Sequence, residues 1–559
     1  MRRFYTFAAS GFVALSLGAC AHPPAATPSP PPAATAPSAA SANEDFAAAA
    51  NHLHSPRLMA MVLLKEARDK HDANPALLAA LFATEAQDYD LASQATQLAH
   101  SLAPKRPEAF AIDVRIALDQ GKVSDARAAA SEAYVLGGAD AVRLALTGPI
   151  DPWFVLAVVQ PLAADHPRDA DLALFHAQAL LQAGDDSGAL AAAQTAGTSA
   201  GNAQLARTIE IQANWDLGRH KQALALAHKT LAAAPHDVGL RVFVAGLLAR
   251  GDQVTRAREI LDDAHALAPG NTHVALAYAV VDMAAGDTSA ARVRVTRLLE
   301  NGSEAPGLYN LLGAMAAQDG DWDEAFGWYH GITDPDFVSS AQVGAVLALA
   351  QWQGLAPAMD YLDRLRQALP ALAPTWIAVE ATLLAQAGKT DQAYALLVAE
   401  TAHYPMVQPL RYQQALLADQ IGKSETALRL LHGLVTEAPD NPDYLNAYGY
   451  TLTEHTTRYR EAYGYIVKAL TMSPDNGAIL DSMGWVLYRL GENTKAVPYL
   501  RRAWELTGDP DVADHLVQVY LALGDTSAAS KLLGNALAKT PTDATLLKLK
   551  QQLARSTPP

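Results

Sequence analysis

Between residues 476 and 541, apolar and polar positions recur in two blocks, each patterned like a pair of amphipathic helices. The first block reads DSMGWVLYRLGENTKAVPYLRRAWEL and the second DHLVQVYLALGDTSAASKLLGNALAKTP. Aligned, Gly491 falls on Gly524, Ala496 on Ala529, Leu500 on Leu533 and Ala503 on Ala536, each pair 33 residues apart. Gly484, Ala496 and Ala503 are small enough to let two helices approach, while Met483, Leu487 and Leu500 fill the space between them. Gly491 supplies the tight turn after the first helix. A proline such as Pro541 stops the second. The pattern predicts antiparallel helix pairs laid end to end.

The same template runs through most of the chain. Its turn glycine recurs at Gly121, Gly184, Gly218, Gly251, Gly286, Gly320, Gly354, Gly388 and Gly422. A small residue follows most of these at a fixed offset, as at Ala126, Ala189, Ala223, Ala257, Ala291, Ala325, Ala393 and Ala427. A period of about 34 residues with this grammar resembles the tetratricopeptide repeat, and about 13 units fit the chain. The expected fold is therefore all-α, a superhelix of helix pairs in which each unit is stable only through its neighbours. The pattern divides into N-terminal helical repeats over 44–147, an irregular joint at 148–168 and a main array over 169–555, with a short tail at 556–559. The joint is expected because Gly137, Gly138, Pro149, Pro152 and Pro161 interrupt the rhythm. A second irregularity, 330–355, reads either as another joint or as a worn repeat.

Composition narrows the function. At 559 residues the chain exceeds what one hydrophobic core organises. Half of it is hydrophobic but only 7% is aromatic, which suits closely packed small-residue helices. A formal charge of -16 repels nucleic acid and anionic lipid, so no nucleic-acid partner is expected. The single cysteine, Cys20, rules out a disulfide within the chain and a cysteine-rich metal site. It follows Arg2, Arg3, an apolar run over 4–17 and the residues Leu17, Gly18 and Ala19, which together read as an export signal over 1–19. The LGAC ending resembles the bacterial lipobox, which implies lipidation of Cys20; the alternative is a plain secretory peptide. Ala21, where an inner-membrane retention signal would place Asp, implies an outer-membrane anchor facing the periplasm. Residues 20–43, rich in Pro, Ala and Ser and free of Asp, Glu, Lys and Arg, read as a disordered tether.

No catalytic constellation emerges. Gly388-Lys389-Thr390 and Gly422-Lys423-Ser424 match the end of a phosphate-binding loop, but its leading glycine would fall on Leu383 and Leu417. Both triplets sit where the template places a turn. The histidines form no H-E-x-x-H; His52 and His54 could grip a metal but have no third ligand nearby. No G-x-S-x-G elbow occurs. The reading is a chain without enzymatic activity, cofactor or metal. Aromatic residues, scarce elsewhere, gather near the C-terminus. In tetratricopeptide stacks, positions five, nine and twelve of each first helix are among those lining the concave face. Here those slots hold Asn446 and Tyr450, then Asp481, Trp485 and Tyr488, then Asp514 and Gln518. With Arg489 they form the candidate partner-binding strip, plain packing being the alternative. The Lys and Asn that clamp a C-terminal carboxylate in some such proteins are missing from Ala378, Thr382, Tyr412 and Leu416.

The run DSMGWVLYRLGENTKAVPYLRRAWELTGDPDVADHL resembles the C-terminal region of a group of Gram-negative outer-membrane lipoproteins with tetratricopeptide repeats. That resemblance implies a non-catalytic adaptor that recruits a periplasmic C-terminal-processing serine protease to peptidoglycan hydrolases. This sequence departs from the group at Val517-Gln518, where Gly-Glu is usual, and in lacking a tryptophan at the end of that helix. The alternative is an assembly lipoprotein serving pilus, secretion, polysaccharide-export or outer-membrane machinery. In either case the expected partners are periplasmic or outer-membrane proteins, with the membrane reached through the N-terminal lipid.

Overall fold

The computed structural model describes residues 55–251, 253–303 and 305–556. The signal segment, Cys20, the tether, His52 and His54 lie outside the described residues. Among those described there are 29 α-helices, one 3-10 turn at Pro370–Leu372 and no strand. Consecutive antiparallel pairs run from Ala73–Glu85 with Tyr89–Leu102 to Pro510–Ala522 with Thr526–Lys539. Pro56–Lys70, Pro152–Asp165 and Ala544–Ser556 stand outside this pairing, which leaves thirteen pairs.

Local chemistry sets the helix boundaries. Asn441 accepts from the N–H groups of Asp443 and Tyr444, Asn476 from those of Ala478 and Ile479, and Asp509 from that of Asp511. Each such cap is worth about 1 kcal/mol. Between the helices of a pair, Gly491 and Gly524 adopt φ of 80° and 76°, a region costly for residues with a Cβ. Gln87 fills the equivalent turn of the first pair at φ 56°. Two glycines depart from the template. Gly251 has φ -91°; a Cβ there would lie 2.6 Å from the Trp215 ring, so it is kept small by packing. Gly354 takes φ 92° and ψ -177°, an extended geometry open to glycine, and starts the next helix one residue early.

The small-residue rule holds in the packing. Ala126, Ala189, Ala223, Ala257, Ala291, Ala325, Ala393 and Ala427 are all fully buried between helices. A Cβ on Gly484 would fall inside the Leu500 side chain, and one on Gly449 would lie 2.6 Å from Ile466 Cγ1. At these points two helices touch with only hydrogen atoms between them.

At the first irregularity, the helix Val123–Ala145 breaks at Gly138. The chain then enters Pro152–Asp165, which buries Phe154, Val155, Leu156, Val158, Val159 and Leu162. Pro161 lies inside this helix and has no N–H for the carbonyl of Ala157; Arg127 Nε donates to that carbonyl instead, at 2.7 Å. At the second, Trp322–His330 is cut short at nine residues. Buried Gln342 closes the gap, donating to the carbonyls of His330 and Ile332 at 3.1 Å each and accepting from Tyr361 OH. The Tyr329 ring is wedged between Gly313 and Gly344.

The stack also touches itself. Turns of the early repeats rest on the turns between later ones. Gln87 Nε2 donates to the Gln367 carbonyl, the Asp151 N–H to that of Ala371 (2.9 Å) and Arg219 Nε to that of Met472 (2.9 Å). Thr375 Oγ1 donates to Asp151 Oδ2 at 2.8 Å, and the Phe154 and Tyr404 rings lie 5.8 Å apart. The superhelix therefore closes on itself along a seam, with one apolar cluster extending from Ala111 to Leu417 across it.

Candidate functional site

The helices Pro442–His455, Gly477–Arg489 and Pro510–Ala522 are the first helices of three successive pairs. On each, residues four apart share a face. The candidate strip is the result: Asn446 and Tyr450, Asp481 and Trp485 with Tyr488, and Asp514 with Gln518. Gly449 and Gly484 bring the second helices close behind it, which holds the strip on a rigid backing.

Trp485 is the centre of the layer. Its indole stacks on the His515 ring at 4.1 Å and 17° and on Tyr488 at 5.0 Å, and its Nε1–H donates to Glu454 Oε1 at 2.5 Å. It is 7% exposed. His515 covers the face of Trp485, and Asn446 and Asp481 are buried as well, so of the expected strip Tyr450, Tyr488, Arg489, Asp514 and Gln518 are the partly exposed members. Arg489 Nη2 donates to Tyr459 OH at 2.5 Å, its guanidinium lies over that ring, and Nη1 is 3.6 Å from Glu454 Oε1. Gln518 Nε2 donates to Asp514 Oδ1 at 2.9 Å.

His515, Glu454 and Tyr459 were not among the sequence candidates. His515 lies 34 positions from Asp481, one repeat on, and its Nδ1 is 2.9 Å from Asp481 Oδ1 and 3.0 Å from Oδ2. The signal that would have found it is that offset between a His and an Asp on adjacent first helices. Burial works against a charged imidazole, but the Asp481 carboxylate outweighs it and holds His515 above its ordinary value. Burial pushes the Tyr450 phenol well above its ordinary value, and Glu454, Asp481, Asp511 and Asp419 add to the effect. A second pair, His455 Nε2 and Asp419 Oδ1 at 2.6 Å, flanks the strip. Asn446 is 5% exposed, and its Oδ1 has no hydrogen-bond partner among the described residues.

The phosphate-loop triplets fall in turns, with Gly388 and Gly422 at φ 75° and 80°, and Lys423 Nζ sits 4.2 Å from the Tyr394 ring centre. Among the described residues, no group of three or more His, Cys, Asp or Glu side chains is placed to hold a metal.

Stacked helix pairs with small buried residues at their crossings form an all-α superhelix of the tetratricopeptide-repeat kind. Models described as tetratricopeptide repeat match residues 210–272, 248–315 and 487–553. The chain is similar to the TPR repeat-containing protein PA4667 of Pseudomonas aeruginosa, 33% identical over 205 residues. That match spans 37% of this chain and 35% of the relative, so about a third of the relative's length is covered. Among solved structures, the APC/C hetero-tetramer Cut9-Hcn1 aligns over 85% of this chain and 95% of its own, at 14% identity and a TM-score of 0.34. The TPR protein TTC0263 of Thermus thermophilus aligns over 32% of this chain and 96% of its own, at 23% identity and a TM-score of 0.29.

Proposed function

We propose that this chain is a non-catalytic scaffold, anchored to the outer membrane through lipid on Cys20, that captures a periplasmic protein on the concave face of its C-terminal repeats. The client implied by the C-terminal sequence motif is a C-terminal-processing protease, held beside its cell-wall hydrolase substrates. The observation that carries the reading is the strip from Asn446 to Gln518, where aromatic, amide and charged side chains gather on one rigid face. Interfaces draw their binding energy from such rings and hydrogen-bonding groups.

The test is a photo-crosslinking residue placed at Tyr488 in cells, with Val293, an exposed residue of a distant second helix, as the control. Crosslinks from position 488 alone to a processing protease or a wall hydrolase are the expected result. Crosslinks to pilus or secretion components would transfer the scaffold to that machinery, and none from 488 would remove the strip from function. Cys20→Ala should release the protein from the outer-membrane fraction; retention there would end the lipid-anchor reading.

A further inference from the structure

Two departures from the repeat grammar meet each other across the seam. The unpaired helix Pro152–Asp165 is led by Asp151, and the 3-10 turn Pro370–Leu372 is inserted before the helix Ala373–Gln386. Asp151 is 4% exposed and makes bonds in both directions. Its Oδ1 accepts from the Trp153 N–H at 2.9 Å, which caps its own helix. Its Oδ2 accepts from Thr375 Oγ1, in the first turn of the facing helix, and its N–H donates to the Ala371 carbonyl. One residue thus ties two helix starts that lie 224 positions apart. At the other end of the seam, Arg219 Nε donates to the Met472 carbonyl. There a Cβ on Gly218 would lie 3.8 Å from the backbone nitrogens of Asp475 and Asn476. Asn476 caps Gly477–Arg489, the helix that carries Asp481, Trp485 and Tyr488. The seam therefore runs from the irregular joint to the foot of the strip.

We propose that the seam is a clasp: the early repeats release the later ones as one unit, with every repeat still folded, and release frees the start of the strip helix. Among the described residues, one apolar cluster has members on both sides of the seam, and the others lie within neighbouring repeats. A stack is held by contacts between neighbours, so each repeat keeps its core when the seam parts. The hydrogen bonds across it join turns, where water replaces a lost partner at small net cost. Opening is thus cheaper than unfolding any repeat, and it forms a cooperative sub-global step of its own. The repeat grammar has no place for the helix Pro152–Asp165 or the turn Pro370–Leu372; closing the seam gives both a task. The consequence for a client rests on the scaffold reading above. A segment bound between Tyr450 and Tyr488 spans two first helices, and the turn leading into the second is clamped while the seam is closed. Binding and closure are then linked, each shifting the other.

The experiment is thiol labelling of the full mature chain with 4,4′-dithiodipyridine, in a Cys20→Ser background that leaves one introduced thiol. Ala371→Cys, at a position 1% exposed, reports the seam. Ala393→Cys, fully buried between Ala373–Gln386 and Thr390–His403, reports the repeat itself. Each rate is taken relative to the same thiol in the urea-unfolded chain. Position 371 should label at least about tenfold faster than position 393. Thr375→Val removes one bond across the seam and leaves Asp151 capping its own helix. It should speed labelling at 371 by about threefold to tenfold and leave 393 unchanged. In the same variant, amide exchange at Ala478 and Ile479, which donate to Asn476 Oδ1, should quicken as well. If Thr375→Val does not fold, Arg219→Ala, which cuts the other end of the seam, takes its place. Equal labelling at 371 and 393 overturns the clasp, since the seam would then open only when the repeat unfolds. So does unchanged exchange at 478 and 479, which would mean that the strip helix is held without the seam. None of these readouts uses a client, so failure of the clasp and failure of the crosslinks from position 488 are told apart.

Discussion

Two repeats with the same backbone carry opposite chemistry. In the helix Thr272–Ala284, ten and six residues before the turn glycine Gly286, stand Leu276 and Val280. At the same offsets from Gly491 stand Asp481 and Trp485. Leu276 is packed with Ala279, Ala291 and Leu308, whereas Asp481 meets His515, whose ring lies 6.4 Å from that of Tyr450. The central repeat puts its charge elsewhere: Asp282, deeply buried, is gripped by Arg258 at 2.8 Å and Arg294 at 2.6 Å, which ties neighbouring helices together. One repeat uses its polar groups for its own packing. The other gathers them into a buried layer of stacked rings and paired charges behind the partly exposed Tyr450 and Tyr488, and the backbone is indifferent to which is chosen.

The sharpest way to break the comparison is to move the chemistry. Leu276→Asp places a carboxylate, without a His partner, in a slot only 4% exposed. It should cost on the order of 3–5 kcal/mol, read as a fall in the chemical-denaturation midpoint. A loss below about 1 kcal/mol would mean that the slot is open to water and that the two repeats differ less than described.

The next largest effect tests what they share. Gly484→Leu drives a side chain into Leu500 and should cost about 1–3 kcal/mol. Because neighbours support one another, hydrogen exchange should quicken in the flanking repeats before it changes near residue 100. Uniform quickening along the chain would count against a linear stack.

Smaller effects come from two buried titrations, and both have the same sign. The His515 value lies above its ordinary 6.5, so its contribution is complete below that value and is lost as pH rises through the folded value. The C-terminal repeats should therefore loosen at alkaline pH, and Asp481→Asn should abolish the dependence. At the seam, burial raises Asp151 from 3.8 to about 6, against the hydrogen bonds from Thr375 and Trp153. Its contribution is complete below 3.8 and is lost as pH rises through about 6. Protection near residues 151 and 371, taken as exchange relative to the intrinsic amide rate at each pH, should rise on acidification from about pH 7 to about pH 5, and Asp151→Asn should remove that rise.

The sequence makes the repeats legible because their grammar is local. A glycine and an alanine a few residues apart suffice to mark a turn and a crossing, and the crossings at Ala496, Ala503 and Gly484 are where that grammar puts them. Gly251 and Gly354 misled because a glycine can serve close packing or an extended bend as well as a left-handed turn. The seam was not legible: Gln87 with Gln367 and Asp151 with Thr375 join turns more than 200 residues apart, and nothing in either turn names its mate. The strip was readable as a set of positions, but not the stacking of His515 on Trp485, which depends on how two helices are rotated against each other.

The measurement closest to the central claim is hydrogen exchange on the mature chain with and without the client captured from position 488. The expected result is slowed exchange across residues 442–522 and none across 272–300, since the two repeats share a backbone and differ in the chemistry of their slots. Protection that falls on 272–300, or spreads equally over both, would contradict it.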